Sequence, residues 1–178
     1  MARYVALLYS VVLGPGNRIR AEHLLALAGA AELDGARPLL ATGNLLFEAS
    51  AGVAELEQRL ERAFTQRHGK TVPIIVRRAE DWLKLAQSNP FTEESARNGS
   101  LVAVRVQRDP VAAAALALLE PYRGEGEKLA VVGGDIWVSF PGQMSTTRLL
   151  AAMNPKRLGI GTSRNWNTVR KIAEALGE

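Results

Sequence analysis

Apolar and polar residues alternate in short periods along the first 78 positions, and this pattern predicts six elements. The runs "RYVALLY", "ARPLLA", "NLLFEA" and "VPIIVR" predict four strands. A helix is expected from about Arg20 to Ala30. A second helix follows, because apolar residues recur there every three or four positions on one face: Val53, Leu56, Leu60, Ala63 and Phe64. His68 and Gly69 end it. The predicted order is β-α-β-β-α-β.

This order is the split arrangement of ferredoxin-like folds, in which two helices cover one face of a four-stranded antiparallel sheet. Both faces of "RYVALLY" are apolar, so that strand is predicted to lie in the middle of the sheet. The "TGN" sequence at 42–44 predicts a tight turn between two strands.

The second half repeats the order after a helix near Asp81 to Gln87 and a polar connection, "NPFTEESARNGS". "SLVAVRVQ" predicts a strand, and "DPVAAAALALL" predicts a helix capped by Asp109 with Pro110 at its first position. "KLAVVGGDIWVSF" predicts a hairpin that turns at 133–134. A helix from about Ser145 to Met153, ended by Pro155, follows. In place of a final strand, the chain is expected to end in a helix led by "RNWN".

The sequence therefore predicts an α+β protein of two ferredoxin-like (βαββα) halves with antiparallel sheets, plus a C-terminal helix. The expected divisions are residues 1–79 for the first half, 80–99 for a connecting helix and linker, and 100–178 for the second half with the C-terminal helix.

Composition excludes several chemistries. The 178 residues include no cysteine, which rules out disulfides, zinc thiolate sites, iron–sulfur clusters and thiol catalysis. The start "MARYVALLYS" does not resemble a signal peptide, and no apolar run approaches the roughly 20 residues that cross a bilayer. We therefore expect a cytoplasmic location and no membrane partner.

Other familiar sites also find little support. The loop "LGPGNRIR" lacks the spacing of dinucleotide and P-loop motifs, so a plain turn is predicted. His23 and His68 have no further ligand at metal spacing, and no serine hydrolase elbow occurs; we expect no metal and no cofactor. An RNA-binding sheet would need exposed aromatics. The aromatic residues of the predicted strands are instead expected in the core: Phe47, Trp137 and Phe140.

The formal charge of +4 is concentrated in the tail. Residues 1–139 carry 16 Lys+Arg and 16 Asp+Glu, whereas residues 140–178 carry 6 and 2. The tail cations are Arg148, Lys156, Arg157, Arg164, Arg170 and Lys171. A local excess of this kind can attract phosphates or acidic surfaces, and the alternative explanation is a solvated helical face.

The stretch "TSRNWNTVRK" at 162–171 contains the predicted start of the terminal helix. Asn165 or Asn167 would serve as N-cap, worth on the order of 1 kcal/mol, and Trp166 would anchor the helix in the core. The same helix start would present free amides to an anion. The predicted binding residues are Thr147, Arg148, Arg164, Asn165, Asn167, Thr168 and Arg170. No catalytic residue is identified.

The chain resembles the bacterial proteins grouped as domain of unknown function 1697. The resemblance rests on "YVALLY", "GPGNRIRAEHL", "ATGNLLFEA", "VPIIVR", "NPF" and, most specifically, a C-terminal "RNWNT". It implies two ferredoxin-like halves and no established activity.

Two departures from the family pattern bear on the site. The usual arginine-glycine-isoleucine-asparagine run is replaced here by Tyr9, Ser10, Val11 and Val12. The usual serine-lysine-leucine becomes Thr147, Arg148 and Leu149, which keeps a hydroxyl and a cation. The departures favour a site in the C-terminal half.

Three functions are compatible with these features. The first is a cytoplasmic binding module for a phosphate-bearing or nucleic-acid partner, which the tail charges favour. The second is an enzyme acting on a small substrate at the junction of the two halves. The third is a structural protein that self-associates into a homodimer.

Overall fold

A computed structural model of the protein describes residues 1–9, 18–40, 43–143 and 147–177. The strands are β1 (Ala2–Leu8), β2 (Asp34–Leu39), β3 (Asn44–Ala49), β4 (Ile74–Arg78), β5 (Val102–Gln107), β6 (Lys128–Val132), β7 (Asp135–Ser139) and β8 (Gly161–Asn165). The helices are α1 (Ala21–Ala30), α2 (Val53–His68), α3 (Ala79–Gln87), α4 (Thr92–Arg97), α5 (Arg148–Ala152), α6 (Pro155–Leu158) and α7 (Trp166–Gly177). Short 3₁₀ turns span Gly99–Leu101, Ala113–Leu118 and Glu120–Tyr122.

The first sheet has the strand order β2-β3-β1-β4, with every neighbouring pair antiparallel. β1 lies in the interior of this sheet, as its two apolar faces predicted. Tyr4, Ala6 and Leu8 face the two helices. Their helical partners in the core include Leu24, Leu27, Leu56, Leu60 and Phe64.

The second sheet repeats this arrangement with the order β6-β7-β5-β8. On one face of it, Ile136 and Val138 of β7 pack against residues of the two short helices: Leu149, Ala152 and Leu158. The fold class predicted from sequence is confirmed: α+β, with two four-stranded antiparallel sheets and a C-terminal helix.

The prediction that the second half lacks a final strand was wrong. β8 pairs with β5 along its whole length, and Arg164 lies opposite Val104. The strand was missed because "GTSRN" has neither the apolar alternation nor the β-branched content by which strands are recognised. The terminal helix begins only at Trp166.

One local prediction near a proline was also wrong. The expected helix capped by Asp109 is a 3₁₀ segment that begins after Ala112 and has no buried residue. A short alanine-rich helix without a buried face is marginal, since most helical stability in proteins comes from packing. The helix α5 does end before Pro155, as predicted. Pro155 itself occupies the first turn of a further short helix, α6, where its missing amide costs nothing.

Other predictions had mixed outcomes. The polar connection after residue 88 contains the short helix α4. The turn at Gly133 and Gly134 is confirmed, with φ of 60° and 86°. Phe47, Trp137 and Phe140 are buried, as expected. The start of the helix expected at Ser145, most of "LGPGNRIR" and Thr42 lie outside the described residues.

The chain forms two compact units. The first comprises Met1–Lys84 and Ile172–Glu178, and the second comprises Leu85–Lys171. Among the described residues, no helix combines the length and the apolarity that crossing a membrane requires.

Candidate functional site

Asn165 is the N-cap of α7. The sequence had predicted that either Asn165 or Asn167 would be the cap. Its side-chain oxygen accepts a hydrogen bond from the Thr168 amide at 3.0 Å. This bond satisfies one of the first-turn amides that have no partner inside the helix. The amide that the Asn165 side chain occupies is therefore not available to an external anion.

Arg164 is buried in the second unit, with 7% of its surface exposed. Its Nη1 donates to the Thr162 hydroxyl and to the Ser163 carbonyl, both at 2.9 Å. Burial lowers the pKa of the guanidinium to about 10, so the group still carries its charge at neutral pH. Its charge is directed into the protein, where the chain's own oxygens bind it.

Trp166 and Asn167 form the first turn of α7. The Trp166 indole is half-buried and lies 6.1 Å from the Trp137 ring. The Asn167 side chain is exposed but packs on Gly99, where an added Cβ would lie 3.1 Å from Trp166 Cδ1. Gly99 therefore provides the space that the start of α7 needs. Arg170 is exposed one turn later.

Thr147 and Arg148 begin α5. The Thr147 hydroxyl accepts a hydrogen bond from the Leu150 amide at 3.1 Å, which caps this helix. The Arg148 side chain is exposed, and its guanidinium carbon lies 5.9 Å from the centre of the Tyr122 ring.

The second sheet separates Arg148 from Arg164. Paired residues on neighbouring strands share a face, so Arg164 lies on the face of Val104 and Trp137. α5 packs on the opposite face, against Ile136 and Val138. The seven predicted residues therefore divide into two groups: Thr147 and Arg148 on one side of the sheet, and those from Arg164 to Arg170 in β8 and α7.

A second arginine joins Arg148 at Tyr122. The Arg157 guanidinium carbon lies 4.6 Å from the ring centre, and its Nη2 donates to the Tyr122 hydroxyl at 2.7 Å. The distances from the two guanidinium carbons to the ring centre, 5.9 Å for Arg148 and 4.6 Å for Arg157, are both within the range of cation–π attraction. We call Tyr122, Arg148 and Arg157 the basic patch.

No acidic side chain of the described residues neutralises the charges of the basic patch. Among the described residues, neither Arg148 nor Arg157 has a carboxylate within ion-pair distance. Arg123, by contrast, is paired with Glu120 at 2.8 Å. The two exposed guanidiniums of the patch therefore retain most of their N–H donors for an external acceptor.

Sequence reasoning missed Tyr122 as part of a site. It lies 26 residues before Arg148 in a 3₁₀ turn and belongs to no recognisable motif. Arg157 was noted only as one of the tail cations. Asn154 caps α6 by accepting a hydrogen bond from the Arg157 amide at 3.2 Å. An asparagine directly before a proline is a sequence pattern typical of a helix start, so this short helix could have been predicted.

Arg105 is a buried arginine of the second unit that sequence reasoning did not single out. It is 3% exposed and donates to the Gly159 carbonyl at 2.9 Å, while its Nε has no hydrogen-bond partner among the described residues. Gly161 packs over it so closely that an added Cβ would lie 2.9 Å from the guanidinium carbon. This tight packing makes Arg105 a buried structural residue.

A cleft of about 280 Å³ lies between α4 and the β6–β7 hairpin. The charges on its walls are paired within the chain: Glu94 binds Lys128, and Arg97 lies 3.9 Å from Glu93. The hydrogen bond from Lys128 lowers the pKa of Glu94.

The two histidines lie together in the first unit, with ring centres 6.1 Å apart. No group of three or more metal-binding side chains occurs in the part of the chain that the structure describes.

These features define an α+β protein with two four-stranded antiparallel sheets and an exposed pair of arginines on one tyrosine. The model of the family described as protein of unknown function (DUF1697) matches residues 1–137, and the chain belongs to this family. The match ends before the "RNWNT" stretch.

Among solved structures, the chain is similar to a conserved bacterial protein, SP0830, from Streptococcus pneumoniae. The TM-score is 0.76 at 19% sequence identity, over 100% of this chain and 99% of the other. At this identity the likeness shows the fold alone. A comparison with curated proteins finds no match.

Proposed function

We propose that the protein is a binding module that recognises a phosphate-bearing ligand at the basic patch. The observation that carries this proposal is the placement of two exposed guanidiniums within 5.9 Å of one tyrosine ring, with no acidic partner among the described residues. Guanidinium groups bind phosphate oxygens through charge-assisted, often bidentate hydrogen bonds.

Tyr122 gives the patch its geometry. Because its hydroxyl oxygen accepts the bond from Arg157, the hydroxyl proton is left to donate to a ligand. The aromatic ring also limits the positions that the two guanidiniums can adopt. The arginine side chains therefore lose less conformational entropy when a ligand binds. Of the originally predicted residues, only Arg148 belongs to this arrangement. Arg164 and Asn165 support α7 and β8 instead.

The test is binding of inorganic pyrophosphate and of a short single-stranded RNA, measured by calorimetry at about 20 mM and about 200 mM salt. Arg148→Gln and Arg157→Gln should each weaken binding about ten-fold, because a hydrogen bond to a charged group is worth roughly 1.5–3 kcal/mol. RNA should bind with the steeper salt dependence if nucleic acid is the natural partner.

Arg97→Gln is the matched control, since Arg97 is also exposed but is paired with Glu93. It should bind as the wild type does. Equal losses in all three variants would show that net charge alone causes binding, and no binding of either probe at low salt would refute the proposal.

A further inference from the structure

Within the part of the chain that the structure describes, the two sheets have four edge strands, and three of them are protected against pairing with another chain. β2 contains Pro38 and an irregular register between Asp34 and Arg37. Both features interrupt the continuous row of backbone groups that an added strand needs.

β4 is protected in a different way. Its outward amides at Ile74 and Val76 donate to the carboxylates of Glu61 and Glu57 on α2, at 2.9 and 3.0 Å. β8, on the second sheet, passes directly into α7, and its Ser163 carbonyl accepts from the Arg164 guanidinium.

β6 has none of these protections. Its five residues contain no proline, and all five pair with β7 in continuous register. Val132 and Asp135 flank a two-residue turn, so their backbone groups bond to each other. Since bonded positions alternate in an antiparallel pair, Ala130 and Lys128 also bond to β7, and the amides and carbonyls of Leu129 and Val131 point outward.

These four outward groups are available for pairing. Within the described residues, no hydrogen bond to another element involves the backbone of Leu129 or Val131. Their side chains are half-buried against the core of the second unit, which holds the strand in position. An unprotected, ordered and apolar edge of this kind is a template for strand addition.

We infer that β6 is a dimerisation edge, at which a second copy of the chain pairs its own β6 antiparallel about Ala130. In this register Leu129 lies opposite Val131 of the second copy. The outward amide and carbonyl of Leu129 then form two hydrogen bonds with those of Val131 in the second copy. By symmetry, Val131 forms the same two hydrogen bonds with Leu129 of the second copy. The strand is thus complementary to itself at the positions where its groups are free.

A small residue, Ala130, occupies the central position of the proposed strand pair, where the two chains approach most closely. Ala130 meets Ala130 of the second copy at a non-hydrogen-bonded pair, where Cα atoms approach to about 4.5 Å and small side chains fit. Opposite residues share a face, so the helix-covered faces of both copies lie on the same side of one continuous sheet. The inference is independent of the proposed anion binding.

The absence of cysteine from the chain allows a direct test. Ala130→Cys would place two thiols at the dyad within the Cα separation that a disulfide needs, about 4.4–6.8 Å. In a glutathione buffer this variant should form a covalent dimer at least ten times faster than Ser163→Cys. Ser163 is the matched control because it is exposed on the other edge strand of the same sheet. Equal cross-linking rates would overturn the inference.

A charge swap at the same position tests the register without covalent chemistry. The wild type should show concentration-dependent dimerisation by sedimentation equilibrium. Ala130→Lys and Ala130→Glu should each be monomeric, because like charges would face each other, and their mixture should form a heterodimer. Thermal melting checks that both variants fold. A wild type that is monomeric at every concentration, or an Ala130→Lys variant that still dimerises, would contradict the inference.

Discussion

Individual side chains of the "RNWN" stretch have structural roles. Asn165 caps α7, and Arg164 is held by Thr162 and Ser163. The sequence predicted the cap because asparagine is favoured at helix starts and costly inside helices. It did not predict the burial of Arg164. An arginine among polar neighbours is usually exposed, and only the pairing of β8 with β5 places this one inside.

The cap leads to a prediction with a built-in control. Asn165→Ala should lower the free energy of unfolding by about 1 kcal/mol. Asn165→Asp should keep most of the wild-type stability, because an aspartate oxygen can also accept the hydrogen bond from the Thr168 amide. Lys171→Ala, at an exposed position of the same helix, should change stability by less than about 0.5 kcal/mol. Urea unfolding measures all three, and equal losses at 165 and 171 would refute the role of the cap.

His68 should make stability depend on pH. Burial chiefly, and then the charges of His23 and Arg67, lower its pKa below the ordinary 6.5. The unfolded chain therefore binds this proton at a higher pH than the folded protein does. The resulting stability is fully present above about pH 6.5 and is lost as the pH falls from there through the folded pKa.

The measurement is the free energy of unfolding of the wild type and of His68→Gln at about pH 7.5 and about pH 5. The wild type should lose more stability than the variant on acidification. A difference between the two proteins that is the same at both pH values would show that His68 does not titrate abnormally.

At the scale of elements, the described helices and strands of the first unit were predictable, and those of the second only in part. Over residues 2–78, each spacing of apolar residues that predicted a helix or a strand corresponds to a helix or a strand in the structure. In the second unit, β8 has no apolar period, and the run Ala113–Leu118 has helical composition but no fully buried residue. Local sequence fails at these elements because neighbours, not propensity, decide their conformation.

The β6–β7 turn gives a prediction at this scale. Gly134 has φ of 86°, and an added Cβ would lie 2.8 Å from Pro110 Cα, so Gly134→Ala combines backbone strain with overpacking. We expect a loss of about 3 kcal/mol. Gly133 has a similar φ of 60° but open space around it, and Gly133→Ala should cost only about 1 kcal/mol. Thermal unfolding distinguishes the two, and equal costs would contradict the packing against Pro110.

At the scale of the molecule, every strand of the two sheets except β8 was predictable, because hydrophobic periodicity specifies a sheet and its helices. The candidate site was not, apart from Arg148. Its arginines come from α5 and α6, and the tyrosine comes from a turn before β6. Nothing in linear spacing brings these segments together, since the second sheet and its core position them.

The most direct test of the basic patch is nuclear magnetic resonance of the labelled protein titrated with inorganic pyrophosphate at low salt. Binding at the basic patch predicts chemical-shift changes centred on Tyr122, Arg148 and Arg157, with little change at Asn167 and Thr168. Changes centred instead on the first turn of α7, or no change anywhere, would contradict it.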